Sequence, residues 1–491
     1  MPTTAECTWA IAQMERYTAD GIVFTVHYTV AANDGTYASS AYGSIGLEQP
    51  EGNIIPYADL TPEIVIGWVQ DKLGGTCLHR GCIPTKALLH AAEVADTARE
   101  GEHIGVHSTF NGIDMTKVNE YKDGVIGRLY KGLQGLVKSR DITYVEGSGK
   151  LVAPNAVEVN GQRYEGKNIV LATGSFARSI PGLEISGRVM TSDQALQIDY
   201  VPQSVIILGG GVIGVEFASV WKSFGVDVTI IEGLPTLVPA EDAAVSKAME
   251  RAYRKRGINF KTGVRFQSAT QDDKSVTITL ESGETVSADL LLVAVGRGPR
   301  TENLGYEDHG VAMDRGFVLA NDRLATNVAG VFAVGDIVPG LQLAHRGFQQ
   351  GIFVAEEIAG LAPATIDELG IPRVTYSEPE IASIGLTEAQ AKDKYGDIEA
   401  YEYNLGGNGK SQILGTTGFI KLIRKKSDGI VVGVHMIGAR VGELIGEAQL
   451  VYNWEGTAED VAPLVHAHPT QNEAMGEAFM ALAGKPLHAH A

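Results

Sequence analysis

The chain is short of cysteine, short of positive charge and without a long apolar run, and each shortage removes a class of protein. Cys7, Cys77 and Cys82 are the three cysteines among 491 residues, too few for a secreted scaffold held together by disulfides. Forty basic residues stand against 59 acidic ones, a formal net charge of −19, which disfavours nucleic acid and anionic membrane surfaces as partners. No apolar stretch reaches transmembrane length, and the N-terminus lacks the basic and apolar regions of a signal peptide. A cytoplasmic protein is expected. Glycine is the counterweight: 59 residues, above ordinary usage, which suits an α/β protein with several phosphate-binding turns. A chain of this length is expected to hold three or four domains.

The most telling stretch is Gly74 to His90, GGTCLHRGCIPTKALLH. It places Cys77 and Cys82 with four residues between them, at the start of what reads as one helix running to about Glu100. Helical residues five apart lie beyond the Cα–Cα reach of a disulfide, so a bridge here has to distort the first turn. Pro84 assists, because it has no N–H to give the carbonyl of Arg80. A strained bridge closing a short loop is easily reduced, and a helix N-terminus lowers thiol pKa. Two inert buried cysteines are the plainer reading; the Gly-Gly lead-in, Pro84 and Lys86 favour redox chemistry.

Ser204 to Glu216 carries the strongest nucleotide signal. A buried β run, Val205 to Leu208, leads straight into Gly209-Gly210-Gly211-Val212-Ile213-Gly214 and an apolar helix through Phe224. Gly209 allows the turn, Gly211 lets a pyrophosphate approach, and Gly214 packs helix against strand. A second strand, Val226 to Ile231, ends at Glu232, whose carboxylate can accept from adenosine ribose hydroxyls. No basic residue follows through Pro239, which favours NAD over its 2′-phosphorylated relative. Near the C-terminus, His466-Ala467-His468-Pro469-Thr470-Gln471-Asn472-Glu473 puts Pro469 where a first helical residue belongs, with His468 exposed at the helix start. Glu473, about one turn in, can hydrogen-bond one ring nitrogen and leave the other as a base of raised basicity.

The cysteine stretch GGTCLHRGCIPTK closely resembles the redox signature of the flavoprotein disulfide reductases, and within them the dihydrolipoyl dehydrogenase kind. From Gly74 to the C-terminus the resemblance is continuous. It implies two Rossmann-like nucleotide-binding domains and an α+β C-terminal dimerisation domain, an α/β protein as a whole. The expected segments are residues 74–201 (an FAD-domain remnant, incomplete at its N-terminus, with the redox disulfide), 202–297 (NAD domain), 298–370 (a central, second FAD segment) and 371–491 (dimerisation). The resemblance assigns FAD contacts to Lys86, Gly147, the Ala172-Thr173-Gly174 turn, the Gly335-Asp336 turn and Ala344. It places Glu216 and Gly296 near flavin and nicotinamide, and makes His468–Glu473 the acid–base pair that one subunit of a homodimer lends to the other. Dihydrolipoamide on a lipoyl-bearing protein of a 2-oxoacid dehydrogenase complex is the implied substrate, and FAD and NAD the cofactors. The missing C-terminal cysteine pair disfavours mercuric reductases; the missing basic residues after Glu232 disfavour the glutathione and trypanothione reductases.

Residues 1–73 depart from that pattern. The family's first βαβ unit, with Gly-x-Gly-x-x-Gly for the FAD pyrophosphate, has no counterpart before Gly74; Gly43-Ser44-Ile45-Gly46 has the wrong spacing. Instead Gly21 to Val30 reads as a strand, Asp34-Gly35 as a hairpin turn and Thr36 to Leu47 as the return. Thr61 and Pro62 then open a short helix. This small β-rich unit resembles small uncharacterised proteins of phage origin. An inactive or FAD-deficient reductase fused to such a unit, or another disulfide reductase of the family, is the alternative expectation.

Overall fold

The structure, a computed structural model, describes residues 73–489 and three strands before them. Two compact units divide the chain, residues 1–61 and 62–491. In the first, Glu6–Arg16, Val23–Asn33 and Ala38–Gly46 form a three-stranded antiparallel sheet in chain order. Asn33 stands opposite Ala38, so the expected return strand pairs with Val23–Asn33; the turn expected at Asp34-Gly35 lies outside the described residues. The strand Glu6–Arg16 was not legible in the sequence, and the helix expected from Thr61 lies outside the described residues.

The second unit is built around a parallel sheet of five strands, in the order Asn259–Lys261, Asp227–Ile231, Ser204–Leu208, Leu290–Val293, Val189–Thr191. Val205, Ile206, Ile207 and Leu208 are all buried, as a strand covered on both faces requires. Val212–Ser223 and Ala243–Arg256 are helices of this layer. The sheet recruits Val189–Thr191, so the nucleotide domain begins before residue 202: only three residues pair there, too short a run to announce itself as a strand.

The chain leaves and re-enters this domain side by side, because Ser175–Ala177 pairs antiparallel with Arg297–Pro299. Outside that gate, Ile169–Leu171 pairs parallel with Val331–Ala333, over a core of Leu151, Val157, Tyr306 and Val318. A three-stranded antiparallel sheet, Gly149–Ala153, Ala156–Val159 and Gln162–Glu165, packs there too. The C-terminal part is a five-stranded antiparallel sheet, in the order Arg373–Thr375, Glu380–Gly385, Val431–Gly438, Phe419–Lys425, Ile398–Asn404. Helices Val441–Asn453 and Glu473–Leu482 bury Leu444, Ala448, Ala474, Ala478 and Phe479 with it. Among the described residues no helix is long and apolar enough to cross a membrane.

Candidate active site

Cys77 and Cys82 do not share one helix. Gly75–Arg80 and Cys82–Glu100 are separate helices, broken at Gly81, whose φ/ψ of −140/−109 is not helical. A Cβ at Gly81 would stand 3.0 Å from the carbonyl oxygen of Thr76, so the tight junction favours glycine. Cys82 is therefore the first residue of the longer helix, and Pro84 sits in its first turn, where a missing N–H costs no helical bond. The break at Gly81 puts the two cysteines on separate helices, where one continuous helix was expected.

Both sulfurs are thiols here and hydrogen-bond each other. That bond divides them: Cys77, which donates, is pushed up, with burial adding to the effect. Cys82, which accepts, is lowered to about 7, against the upward push of burial and with help from the Lys86 ammonium. Lys86 Nζ lies 3.0 Å from both carboxylate oxygens of Glu216, whose side chain is only 4 % exposed. Burial disfavours the ammonium, but Glu216 outweighs it and holds the Lys86 pKa above its ordinary value. Sequence reasoning missed Tyr376: its backbone N–H donates to Glu216 Oε1 at 2.9 Å, and Lys86 Nζ stands 4.7 Å over its ring. No local pattern around Tyr376 signals this role.

In the Gly209–Gly214 loop, the glycines differ in what surrounds them. Gly209 has φ +114, and a Cβ there would lie 2.3 Å from the carbonyl oxygen of Ala294. A Cβ at Gly214 would lie 1.9 Å from the carbonyl oxygen of Gly209, whereas one at Gly211 would meet nothing within 4 Å. Glycine is thus enforced by packing at two positions and leaves the third open for a close-approaching ligand. Glu232 accepts from the N–H groups of Gly210 and Leu234, each at 2.6 Å. Two bonds leave lone pairs on each oxygen for ribose hydroxyls.

Of the positions expected to hold FAD, Thr173, Gly174 and Asp336 meet the residues of the gate. Asp336, in a short 3-10 turn after Val331–Ala333, accepts from Ser175 Oγ, and Arg297 donates to Ser175 Oγ at 2.7 Å and to its carbonyl at 2.8 Å. Thr173 Oγ1 donates to the carbonyl of Arg300 at 2.5 Å, and Gly174 accepts from Arg300 N at 2.8 Å. Gly296 is left-handed at φ +110, and Ala344 opens the helix Ala344–Ile358. Gly147 is tied to packing: at φ +155, its Cβ would fall 2.6 Å from the Asn160 side chain. A half-buried ammonium paired with a buried carboxylate beside a low-pKa thiol suits the reactive end of a flavin, and the open face at Gly211 suits a pyrophosphate.

His468 and Glu473 form a second centre. His468 Nδ1 and Glu473 Oε1 are 2.8 Å apart, and Thr470 N donates to Glu473 Oε2 at 2.8 Å. Burial pushes Glu473 upward, but these partners outweigh it and hold it below the usual carboxylate range. The expected helix start is corrected: the helix begins at Glu473, with Asn472 as its cap, and the His468-Pro469 peptide is cis. Pro469 lies in the turn ahead of the helix, and His468 is presented from that turn, 78 % exposed. His466 is inward and structural, 3.0 Å from Glu447 Oε1.

The family description pyridine nucleotide-disulphide oxidoreductase matches residues 61–351, and that family's dimerisation domain matches residues 371–479. The chain belongs to the pyridine nucleotide-disulphide oxidoreductases, whose members use FAD and NAD(H). Within that class it is of the dihydrolipoyl dehydrogenase type. A relative of that name from Bacillus subtilis is 39 % identical over 439 residues, 85 % of this chain and 93 % of the relative. Another, from Cupriavidus necator, is 36 % identical over 475 residues, covering 93 % and 98 %. The solved structure of LpdA from Mycobacterium tuberculosis shares the fold, with a TM-score of 0.79 at 23 % identity over 84 % of this chain and 93 % of that one. The flavoprotein disulfide reductase RclA from Escherichia coli does so at 0.76 and 24 %, over 84 % and 93 %. Residues 4–98 match a domain of unknown function (DUF7936).

Proposed function

We propose that this protein oxidises protein-bound dihydrolipoamide to lipoamide and reduces NAD+, as a cytoplasmic homodimer serving a 2-oxoacid dehydrogenase complex. The observation that carries the reading is the divided cysteine pair, Cys77 in the short helix Gly75–Arg80 and Cys82 opening the helix Cys82–Glu100, one turn before the Lys86 ammonium held 3.0 Å from both Glu216 oxygens. A pair so divided accepts attack at Cys77 and releases Cys82 as the stable thiolate. In the oxidised enzyme, His468 takes the proton of one substrate thiol, and that sulfur attacks Cys77, breaking its bond to Cys82. The second substrate thiol then attacks the first substrate sulfur, releasing lipoamide and leaving its proton on Cys77. Two electrons now reside on the cysteine pair, and one proton on His468. Glu473 orients His468 through Nδ1, leaving Nε2 to face the substrate. Lys86 and Glu216, with Gly147, Thr173, Gly174, Asp336 and Ala344, would hold FAD, which when bound supplies the electron path from the pair to NAD+. Gly209, Gly211, Gly214, Glu232 and Gly296 would hold the NAD+.

The test is the visible spectrum of the purified protein, followed by dihydrolipoamide-dependent reduction of NAD+. Flavin bands, turnover, and loss of turnover in Cys77→Ser are expected. A protein that stays colourless with added FAD and reduces no NAD+ overturns the proposal and leaves a FAD-deficient reductase.

A further inference from the structure

Two consecutive acids at the start of helix Ala243–Arg256 reach out of the nucleotide domain into the dimerisation sheet. Glu241 Oε2 accepts from Ser383 Oγ at 2.5 Å, and Oε1 lies 3.6 Å from Arg373 Nε. Asp242 accepts from Lys421 Nζ at 2.8 Å and from the N–H of Glu388 at 3.0 Å, while also capping its own helix through Ala244 N. Lys421 Nζ reaches Glu388 Oε2 as well, at 2.6 Å. His435 is fully buried beside these acids; its Nε2 is 2.8 Å from the carbonyl of Leu386, and its Nδ1 has no partner. Charges this deeply buried persist only with partners, and truncating one partner is costly. The cluster is therefore a firm anchor at one end of the segment Leu234 to Glu241.

The other end of that segment is fastened to the nucleotide loop. Leu234 N donates to Glu232 Oε1, and Val238 N donates to the carbonyl of Gly210 at 2.8 Å. A Cβ at Gly210 would collide with the Leu237 side chain at 2.6 Å and meet Glu232 Cβ at 3.1 Å. Between the two fastenings, Val238 sits at φ +42 while 2 % exposed. A β-branched residue in the left-handed region is disfavoured and persists only when its surroundings impose it. Its carbonyl is held by Glu241 N at 3.0 Å and by Ser246 Oγ at 3.1 Å.

We propose that Glu241, clamped by Ser383 and Arg373 of the dimerisation domain, is a positioning residue for NAD. It holds the Leu234–Glu241 strap in its bend at Val238, and the strap in turn fixes Gly210 and Glu232 at the adenosine edge of the nucleotide loop. This rests on the reading of the Gly209–Gly214 loop and Glu232 as the NAD site. Adenosine affinity is then set partly by Ser383 and Arg373, residues of the dimerisation domain.

The test measures NADH binding to the full-length protein by fluorescence, with NAD+ kinetics alongside. Ser383→Ala and Glu241→Gln are expected to weaken binding roughly five- to tenfold. The kcat of Ser383→Ala at saturating NAD+ is expected to stay close to wild type. Val238→Gly placed in the Ser383→Ala background is expected to restore affinity, because glycine adopts the bend without the clamp. Wild-type affinity in both single variants overturns the inference. So does a loss that Val238→Gly fails to restore, which marks general destabilisation. A wild-type protein that binds no NADH overturns both this inference and the NAD-site reading beneath it.

Discussion

Lys86 adds to the sulfur–sulfur hydrogen bond in setting how the two sulfurs share one negative charge. It faces Cys82 from the same helix and is pinned by both oxygens of Glu216. In Lys86→Met, Cys82 loses its nearest cation and gains an uncompensated Glu216 carboxylate, and both changes raise its pKa. The thiolate absorbance of the reduced protein should titrate near pH 7 in wild type and at least about one pH unit higher in the variant. An unmoved midpoint would show that the sulfur–sulfur hydrogen bond alone depresses Cys82. Cysteines, lysine and glycine fingerprint were legible in the sequence because each announces itself within one or two helical turns. Tyr376 was not, because its contact with Lys86 and Glu216 depends on a strand far along the chain.

At the level of elements, the junction between strand Glu380–Gly385 and helix Val441–Asn453 is sensitive to pH. Burial raises Glu380 to about 7; the N–H of Gly442 opposes this at 2.9 Å, and Glu378 adds to it. A carboxyl whose folded pKa is raised contributes stability that is fully present below its unfolded value near 4.5. That contribution is lost as pH rises through about 7. Glu380→Gln keeps an acceptor for Gly442 and cannot ionise. In urea melts it should match wild type at pH 5 and exceed it at pH 8 by on the order of 1 kcal/mol; equal curves at both pH values would refute the assignment. Elements were legible where periodicity is strong, as in Ser204–Leu208 and the helix after it. Three features were hidden: the break at Gly81, the turn ahead of Glu473 and the strand Glu6–Arg16. The first two fall at a glycine and a proline beside runs whose composition otherwise reads as helix. The third, ECTWAIAQMER, mixes helix formers with strand formers and so has no clear local preference.

For the whole molecule, the C-terminal domain leaves large apolar side chains uncovered: Val465 is 97 % exposed, Trp454 76 % and Ile413 66 %. Val465 stands three residues from His468, so a surface that covers it also closes over the proton-handling pair. Sedimentation should give a dimer. Val465→Asp combined with Trp454→Asp should shift it toward monomer and abolish lipoamide turnover while NADH binding is kept. A monomeric wild type with full turnover would remove His468 from a shared site. The parallel pairing of Ile169–Leu171 with Val331–Ala333 has a consequence for synthesis. The first strand leaves the ribosome roughly 160 residues before its partner, a delay on the order of 10 to 30 s at ordinary elongation rates. Throughout that interval a complete nucleotide domain can fold in the gap, while the strand beside it still has an open edge. The growing chain is therefore most exposed to mispairing and to chaperones just before Val331 appears, and slowed translation between those two strands should lengthen that window.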